Sequence, residues 1–184
     1  MSAAPFRVES ARLYIRPWEP ARDRAVFTRF VSDPDMMRYI SFGRAWDEAR
    51  IDAMFKRQAG FLADHGCCVG AAVFKETDDV VGVAGIQPQD KSGHYELAWW
   101  IWKDYWNRGY ATELAHAMKD HAFRIMDLKQ FVAIADVPNL ASIRVMQKIG
   151  MRYEGLRNAH DLAARHPDVE VVFYRLENPT LIGT

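Results

Sequence analysis

The sequence predicts a mixed α/β layer fold, one domain over residues 1–184, with a mostly antiparallel central sheet of about seven strands and helices on both faces. Three observations carry this. Two apolar stripes at helical spacing precede residue 65, three period-two runs follow between Cys67 and Ile101, and beyond Trp106 helix-like and strand-like segments alternate.

The elements follow in order. Arg12-Leu-Tyr-Ile-Arg16 alternates and stops at Pro17, a residue that cannot donate to a ladder, so it reads as the first strand. Between Pro20 and Ser32 the residues Ala25, Val26, Phe27, Phe30 and Val31 form one helical stripe, which Asp33-Pro34 ends. Asp47 is an N-cap for a second helix, with Ile51, Met54, Phe55, Gln58 and Leu62 on one face up to His65-Gly66. Cys67 to Lys75, Val80 to Gln87 and His94 to Ile101 then form an antiparallel meander. A helix carrying Leu114, Ala115, Met118, Ala122 and Ile125 follows, then a strand from Phe131 to Ala135. Asn139 opens another helix, with Ile143, Met146 and Ile149 as its stripe and Gly150 at its end. Met151 to Glu154 and Val169 to Leu176 form a closing strand pair, joined by a polar connection containing His160 and His166.

Composition narrows the function classes. Hydrophobic residues are 49% and charged residues 26%, which excludes disordered and fibrous chains. Lys plus Arg and Asp plus Glu are 24 each, so no overall basic field gathers nucleic acid or anionic membrane, and neither is expected as a partner. The apolar runs stop short of the roughly 20 residues that span a bilayer, and Met1 to Ser10 has no apolar signal core, so a cytoplasmic location is expected. Cys67 and Cys68 are adjacent and point to opposite faces of a strand, making neither a staple nor a metal site. His116 and His121, five apart, do not share a helix face, and no metal is expected.

The segment Ile101 to Glu113 carries the most chemistry. A strand ends near Ile101 and a helix begins near Ala111, and Gly109 permits a tight turn that turns consecutive N–H groups outward at a helix N-terminus, where the dipole favours an anion. Arg108 adds a positive charge and Thr112 a hydroxyl. The run is neither a Walker loop nor the dinucleotide Gly-x-Gly-x-x-Gly. On local physics alone, an ordinary strand-to-helix turn with a solvated Arg reads equally well.

A second segment separates those readings. Asp136-Val-Pro-Asn-Leu-Ala-Ser-Ile-Arg-Val-Met-Gln-Lys-Ile-Gly-Met151 resembles the asparagine, serine, lysine and Gly-aromatic pattern of GNAT acyltransferases, and Tyr105-Trp-Asn-Arg-Gly-Tyr-Ala-Thr-Glu113 resembles their pyrophosphate loop. Arg12-Leu-Tyr-Ile-Arg-Pro-Trp18 and Glu96-Leu-Ala-Trp-Trp100 resemble, in order and spacing, the opening and fourth strands of the ribosomal-protein alanine/serine N-acetyltransferase branch. The resemblance implies the GNAT fold and an acetyl-CoA co-substrate in a V-shaped opening between the fourth and fifth strands, here His94–Ile101 and Phe131–Ala135. It also implies roles. Backbone groups at Ile101 and Trp102 would bond the pantetheine arm. The turn from Asn107 through Arg108, Gly109, Tyr110 and Ala111 to Thr112 would hold the pyrophosphate. Asn139 and Ser142 would line the thioester end, and Lys148 would lie near the nucleotide part. Asn107 stands where the branch has Gly, and Met151 replaces its Phe.

Transfer of an acyl group to an amine needs a neutral nucleophile and a proton for the departing thiolate. Period two puts His94, Glu96, Ala98 and Trp100 on one face of their strand, and Glu96 matches a frequent general-base position of GNAT enzymes. Its other reading is a strand carboxylate paired with a cation or helix end, and His94 reads as a support for Glu96 or as a solvated loop residue. Met146 occupies the position where many GNAT enzymes carry a Tyr acid, so Ser142 is the substitute, or else a first-turn residue bonding backbone.

For the acceptor, a Lys amine at pH 7 costs about 4.6 kcal/mol to neutralise, against about 1.4 kcal/mol for an α-amine. Weak acid–base machinery therefore favours a protein or peptide N-terminus over a small amine such as a polyamine or aminoglycoside. Trp99, Trp100, Trp102 and Trp106 read as core packing or as walls of an acceptor pocket. A non-catalytic acyl-CoA sensor is the rival that Met146 supports and Glu96 opposes. A monomer and an edge-paired homodimer are both compatible with the sequence.

Overall fold

The computed structural model describes residues 6–40, 43–163 and 167–179. Its elements run β1 (Val8–Glu9), β2 (Leu13–Arg16), α1 (Pro20–Ser32), α2 (Pro34–Met37), α3 (Glu48–His65), β3 (Val69–Phe74), β4 (Val80–Pro88), β5 (Tyr95–Ile101), α4 (Tyr110–Arg124), β6 (Gln130–Asp136), α5 (Leu140–Lys148), β7 (Arg152–Asn158), α6 (Ala159–Leu162) and β8 (Glu170–Glu177). A 3₁₀ turn, Lys103–Tyr105, follows β5. The eight strands form one sheet in the order β1-β2-β3-β4-β5-β6-β8-β7. Every neighbouring pair is antiparallel except β5 and β6.

Helices cover both faces. Leu114, Ala115, Met118 and Ala122 of α4, with Val145 and Met146 of α5, pack on Leu13, Ile15, Ala84, Ile86 and Leu97. Phe27 and Phe30 of α1, Met36 and Met37 of α2, and Ile51, Met54 and Phe55 of α3 pack on Val69 and Val83 across the sheet. On β5 the alternation reads Leu97, Trp99 and Ile101 toward α4 and α5, and Ala98 and Trp100 toward α1 to α3. Among the described residues no helix is long and apolar enough to cross a membrane.

Caps place the helix starts where the side chains demand them. Asp47 accepts from Arg50 N–H at 2.8 Å to open α3, and Gly66 closes it in the left-handed conformation. Asp33 ends α1 but also accepts from the N–H groups of Asp35 and Met36, with Pro34 at the first helical position, and so opens the short α2. The same two residues read in the sequence only as a stop.

Two strands and one connection differ in detail from the sequence pattern. Among the described residues the sheet has eight strands, against about seven expected, because the two-residue β1 is too short to show alternation. The strand expected over Met151 to Glu154 runs to Asn158: Gly155, at φ +101°, and a register shift between Tyr153 and Leu156 mark a bulge that breaks the period. The polar connection after it holds α6, in which Asn158 caps His160 N–H at 2.9 Å, whereas His166 lies outside the described residues.

A buried ion pair ties β2 to α1. Arg16 donates to both oxygens of Asp23 at 2.7 and 2.9 Å, and Asp23 also accepts Glu19 N–H at 2.8 Å. Arg16 is 8% exposed and Asp23 1%. Replacing Asp23 with Ala strands the guanidinium in the interior, and urea denaturation is expected to show a loss of about 3–5 kcal/mol.

Candidate active site

β5 and β6 are in register at one pair, Glu96 and Val132. Beyond it the strands separate, and a cleft of about 740 Å³ opens between their C-terminal ends. Parallel neighbours normally hydrogen-bond along their length, so this gap leaves main-chain groups of β5 without ladder partners. Which groups these are follows from one bond. Trp102 N–H donates to Val81 carbonyl at 2.8 Å, so the alternation turns Ala98 and Trp100 toward β4 and Leu97, Trp99 and Ile101 toward β6.

The structure therefore does not bring Trp102 to the cleft. Its amide is taken by Val81, its carbonyl accepts Tyr105 N–H at 2.9 Å, and its ring packs on Phe30 under the Arg29 guanidinium. Trp99 stands in its place at the gap. Ile101 does line the cleft, and its carbonyl accepts the Trp106 indole N–H at 2.7 Å.

The turn before α4 is built by two residues with positive φ, Asn107 at +61° and Gly109 at +81°. Asn tolerates this conformation through its short polar side chain, so the loop forms without a Gly at this position. Gly109 is the N-cap of α4, and no side chain caps the helix. Glu113 N–H donates to Gly109 carbonyl at 3.0 Å, and the N–H groups of Tyr110, Ala111 and Thr112 precede the first intrahelical bond and have no protein acceptor among the described residues. Asn107, Gly109, Tyr110, Ala111 and Thr112 line the cleft. Arg108 does not: its guanidinium lies 5.7 Å from the Tyr105 ring centroid and its carbonyl accepts from Arg12.

Glu113, which sequence reasoning passed over, anchors this turn. It accepts the Ser10 hydroxyl and Arg12 N–H at 2.7 Å each, and the Arg12 Nε at 2.7 Å. Burial pushes its carboxyl up, but the Arg12 amide, the Ser10 hydroxyl and the Arg12 guanidinium together hold it below the ordinary glutamate range. A depressed folded value means that its contribution to stability is full above the unfolded value and is lost as pH falls through the folded one. Glu113→Gln is expected to weaken coenzyme A binding several-fold and to flatten the loss of stability on acidification below pH 4.5, read by calorimetric titration and by denaturation at successive pH values.

Glu96 is 5% exposed, lines the cleft and pairs in register with Gln87, whose Nε2 donates to Glu96 Oε2 at 3.2 Å. Across the gap, Asn139 caps α5, its Oδ1 accepting Ser142 N–H at 3.2 Å. Asn139, Ser142 and Lys148 line the cleft, as do Arg144 and Asp136, which sequence reasoning missed. Burial pushes the Asp136 carboxyl up. Met146 is fully buried in the core, with its neighbour Val145 on the cleft. His94 packs against Phe173, and burial and Arg175 hold it below the ordinary histidine value against the pull of Glu154. Asp35, Met36, Arg38, Tyr39 and Ile40, from α2 and the turn after it, form the far wall with Trp100. Burial pushes the Cys67 and Cys68 thiols up to about 11 and about 12, so both remain protonated packing groups. Among the described residues no group of three His, Cys, Asp or Glu side chains is placed to hold a metal.

The splayed β5–β6 pair lies beside the uncapped N-terminus of α4, in a chain whose sequence matches a known family. Residues 12–152 match the acetyltransferase (GNAT) domain family; the chain belongs to that family and is an acetyltransferase, and the family uses acetyl-CoA. It is similar to YnaD, an uncharacterised N-acetyltransferase of Bacillus subtilis (strain 168), at 31% identity over 150 residues, 82% of this chain and 85% of that one. The fold is that of an acetyltransferase from Agrobacterium tumefaciens (strain C58), with TM-score 0.80 and 23% identity over 97% and 98% of the two chains. It is also that of RimL, a ribosomal L7/L12 alpha-N-protein acetyltransferase in complex with coenzyme A, with TM-score 0.73 and 15% identity over 94% and 98%.

Proposed function

We infer that the chain transfers the acetyl group of acetyl-CoA directly to a primary amine in a ternary complex, and that the amine is an α-amine at a protein or peptide N-terminus. The observation that carries this reading is the continuity of one cleft from the unpartnered N–H groups of α4 to the Glu96 carboxylate. The residues fit the co-substrate. Three N–H donors at a positive helix end suit a pyrophosphate. The edge of β5 at Trp99 and Ile101, which β6 leaves without ladder partners, suits the amides of a pantetheine arm, and Lys148 and Arg144 are cleft-lining cations suited to the nucleotide part. When bound, acetyl-CoA supplies an activated acetyl thioester.

The chain's own residues do the rest. Glu96 takes the proton of the incoming ammonium, directly or through a water, so that the amine is neutral when it attacks. Burial of that carboxylate at the cleft floor keeps bulk water from competing for the proton. Ser142 lies on the opposite wall and donates a hydroxyl toward the departing sulfur. That demand is modest, because a thiol with pKa about 8.5 leaves readily. Asn139 sets the position of Ser142 through the cap.

An α-amine is favoured because its neutral form costs about 3 kcal/mol less than that of a lysine. The description of RimL as an alpha-N-protein acetyltransferase points the same way. The test offers three acceptors at equal concentration: a peptide with a free N-terminus, the same peptide Nα-blocked but carrying one Lys, and spermidine, with products read by mass spectrometry. The reading expects the free N-terminus to be acetylated at least tenfold faster. Preference for spermidine or for the blocked peptide contradicts it.

A further inference from the structure

Behind Glu96 runs a chain of three hydrogen bonds that reaches an element outside the cleft. Val69 N–H donates to Gln58 Oε1 at 2.7 Å, Gln58 Nε2 donates to Gln87 Oε1 at 3.0 Å, and Gln87 Nε2 donates to Glu96 Oε2 at 3.2 Å. All three side chains are buried, at 4%, 7% and 5% exposure for Gln58, Gln87 and Glu96. Gln87 and Glu96 line the cleft and Gln58, on α3, does not. The direction of the chain is forced from its start. A backbone N–H can only donate, so Gln58 turns its oxygen to Val69 and its nitrogen to Gln87, and Gln87 must turn its nitrogen to Glu96. The far end agrees, because an ionised carboxylate can only accept.

We propose that Gln87, and Gln58 acting through it, are positioning residues that hold the Glu96 carboxylate in one orientation at the cleft floor. The proposal rests on the reading of Glu96 as the base. A merely structural reading of the same bonds, a polar contact that closes α3 on β4, makes no reference to Glu96. The two part company at Gln58→Glu. A carboxylate there still accepts Val69 N–H, but it also accepts from Gln87, whose amide then turns over and presents its oxygen to Glu96. Gln58 itself does not line the cleft, and the substitution reverses the group that Gln87 presents to Glu96. Gln87→Met removes that donor with little change of volume and serves where the buried charge of Gln58→Glu prevents folding.

The experiment measures kcat, KM for acetyl-CoA and coenzyme A affinity for each variant alone and combined with Glu96→Gln. Gln87→Met and Gln58→Glu are expected to lower kcat about tenfold or more, the size of a lost hydrogen bond to a charged group, with KM and coenzyme A affinity unchanged. In the Glu96→Gln background each should change kcat less than twofold. Full kcat in a folded single variant overturns the proposal, as does an equal fold-loss with and without Glu96. A readout free of turnover is the side-chain amide NMR signal of Gln87 and Gln58: Glu96→Gln is expected to move both, and an unmoved Gln58 signal also overturns the chain. Wild-type kcat in Glu96→Gln alone overturns the base assignment and this proposal with it. That result is distinct because it appears before any glutamine is touched.

Discussion

Gly109→Glu is expected to abolish acetyl-CoA binding while leaving a folded protein. The position has φ +81°, which a glutamate adopts only at a cost of about 1–2 kcal/mol, a modest charge on the stability of a chain this size. There is room for the added Cβ, whose nearest atom is Arg12 Nη2 at 3.9 Å, an ordinary contact. The effect is therefore electrostatic. A carboxylate at the N-cap occupies the positive end of α4 and faces the same N–H groups as the pyrophosphate, and like charges brought together there cost several kcal/mol, a loss of about 10³-fold in affinity. Gly109→Ala separates the causes, since it carries the conformational cost without the charge and should weaken binding only slightly. Calorimetric titration with coenzyme A reads both, and retained tight binding by Gly109→Glu removes the turn from the site.

Glu96→Gln is expected to lower kcat about 10²-fold or more with little change in the KM for acetyl-CoA. The substitution keeps the shape of the side chain, and the amide oxygen still accepts from Gln87. What is lost is a group able to take the ammonium proton. Raising the pH toward the amine's own pKa supplies neutral nucleophile from solution, so activity of the variant should climb with pH more steeply than that of the wild type. Equal activity at every pH shows that the amine arrives neutral without help from this carboxylate.

How far the sequence reaches into this site depends on distance along the chain. Local signals were readable: the Asp47 cap, the alternation that puts Glu96 with Ala98 and Trp100, and the Gly109 turn are each decided by neighbours within a few residues. The short elements were not. β1 is two residues, and α2 is a single turn whose Asp33-Pro34 start coincides with the end of α1. The identity of the β5 residues facing the gap turned on pairing. Strand periodicity fixes side-chain faces and says nothing of which main-chain groups meet β4, and it took the Trp102 to Val81 bond to place Trp99 rather than Trp102 at the opening. Glu113 and Arg12 lie 101 positions apart, and Gln58, Gln87 and Glu96 sit on three different elements. Only the folded sheet assembles them, and a buried glutamine on a helix face carries no mark in the sequence of the carboxylate it will meet through another strand.

The central claim, that this cleft binds acetyl-CoA and delivers its acetyl group to an amine, is tested most directly by thermal unfolding with and without acetyl-CoA, followed in the same samples by thiol release on addition of a free-N-terminus peptide. At about 100-fold excess over Kd the ligand should add about 2.7 kcal/mol of stability, and thiol should appear only when the amine is present. No stabilisation by acetyl-CoA, or thiol release that ignores the amine, contradicts the account.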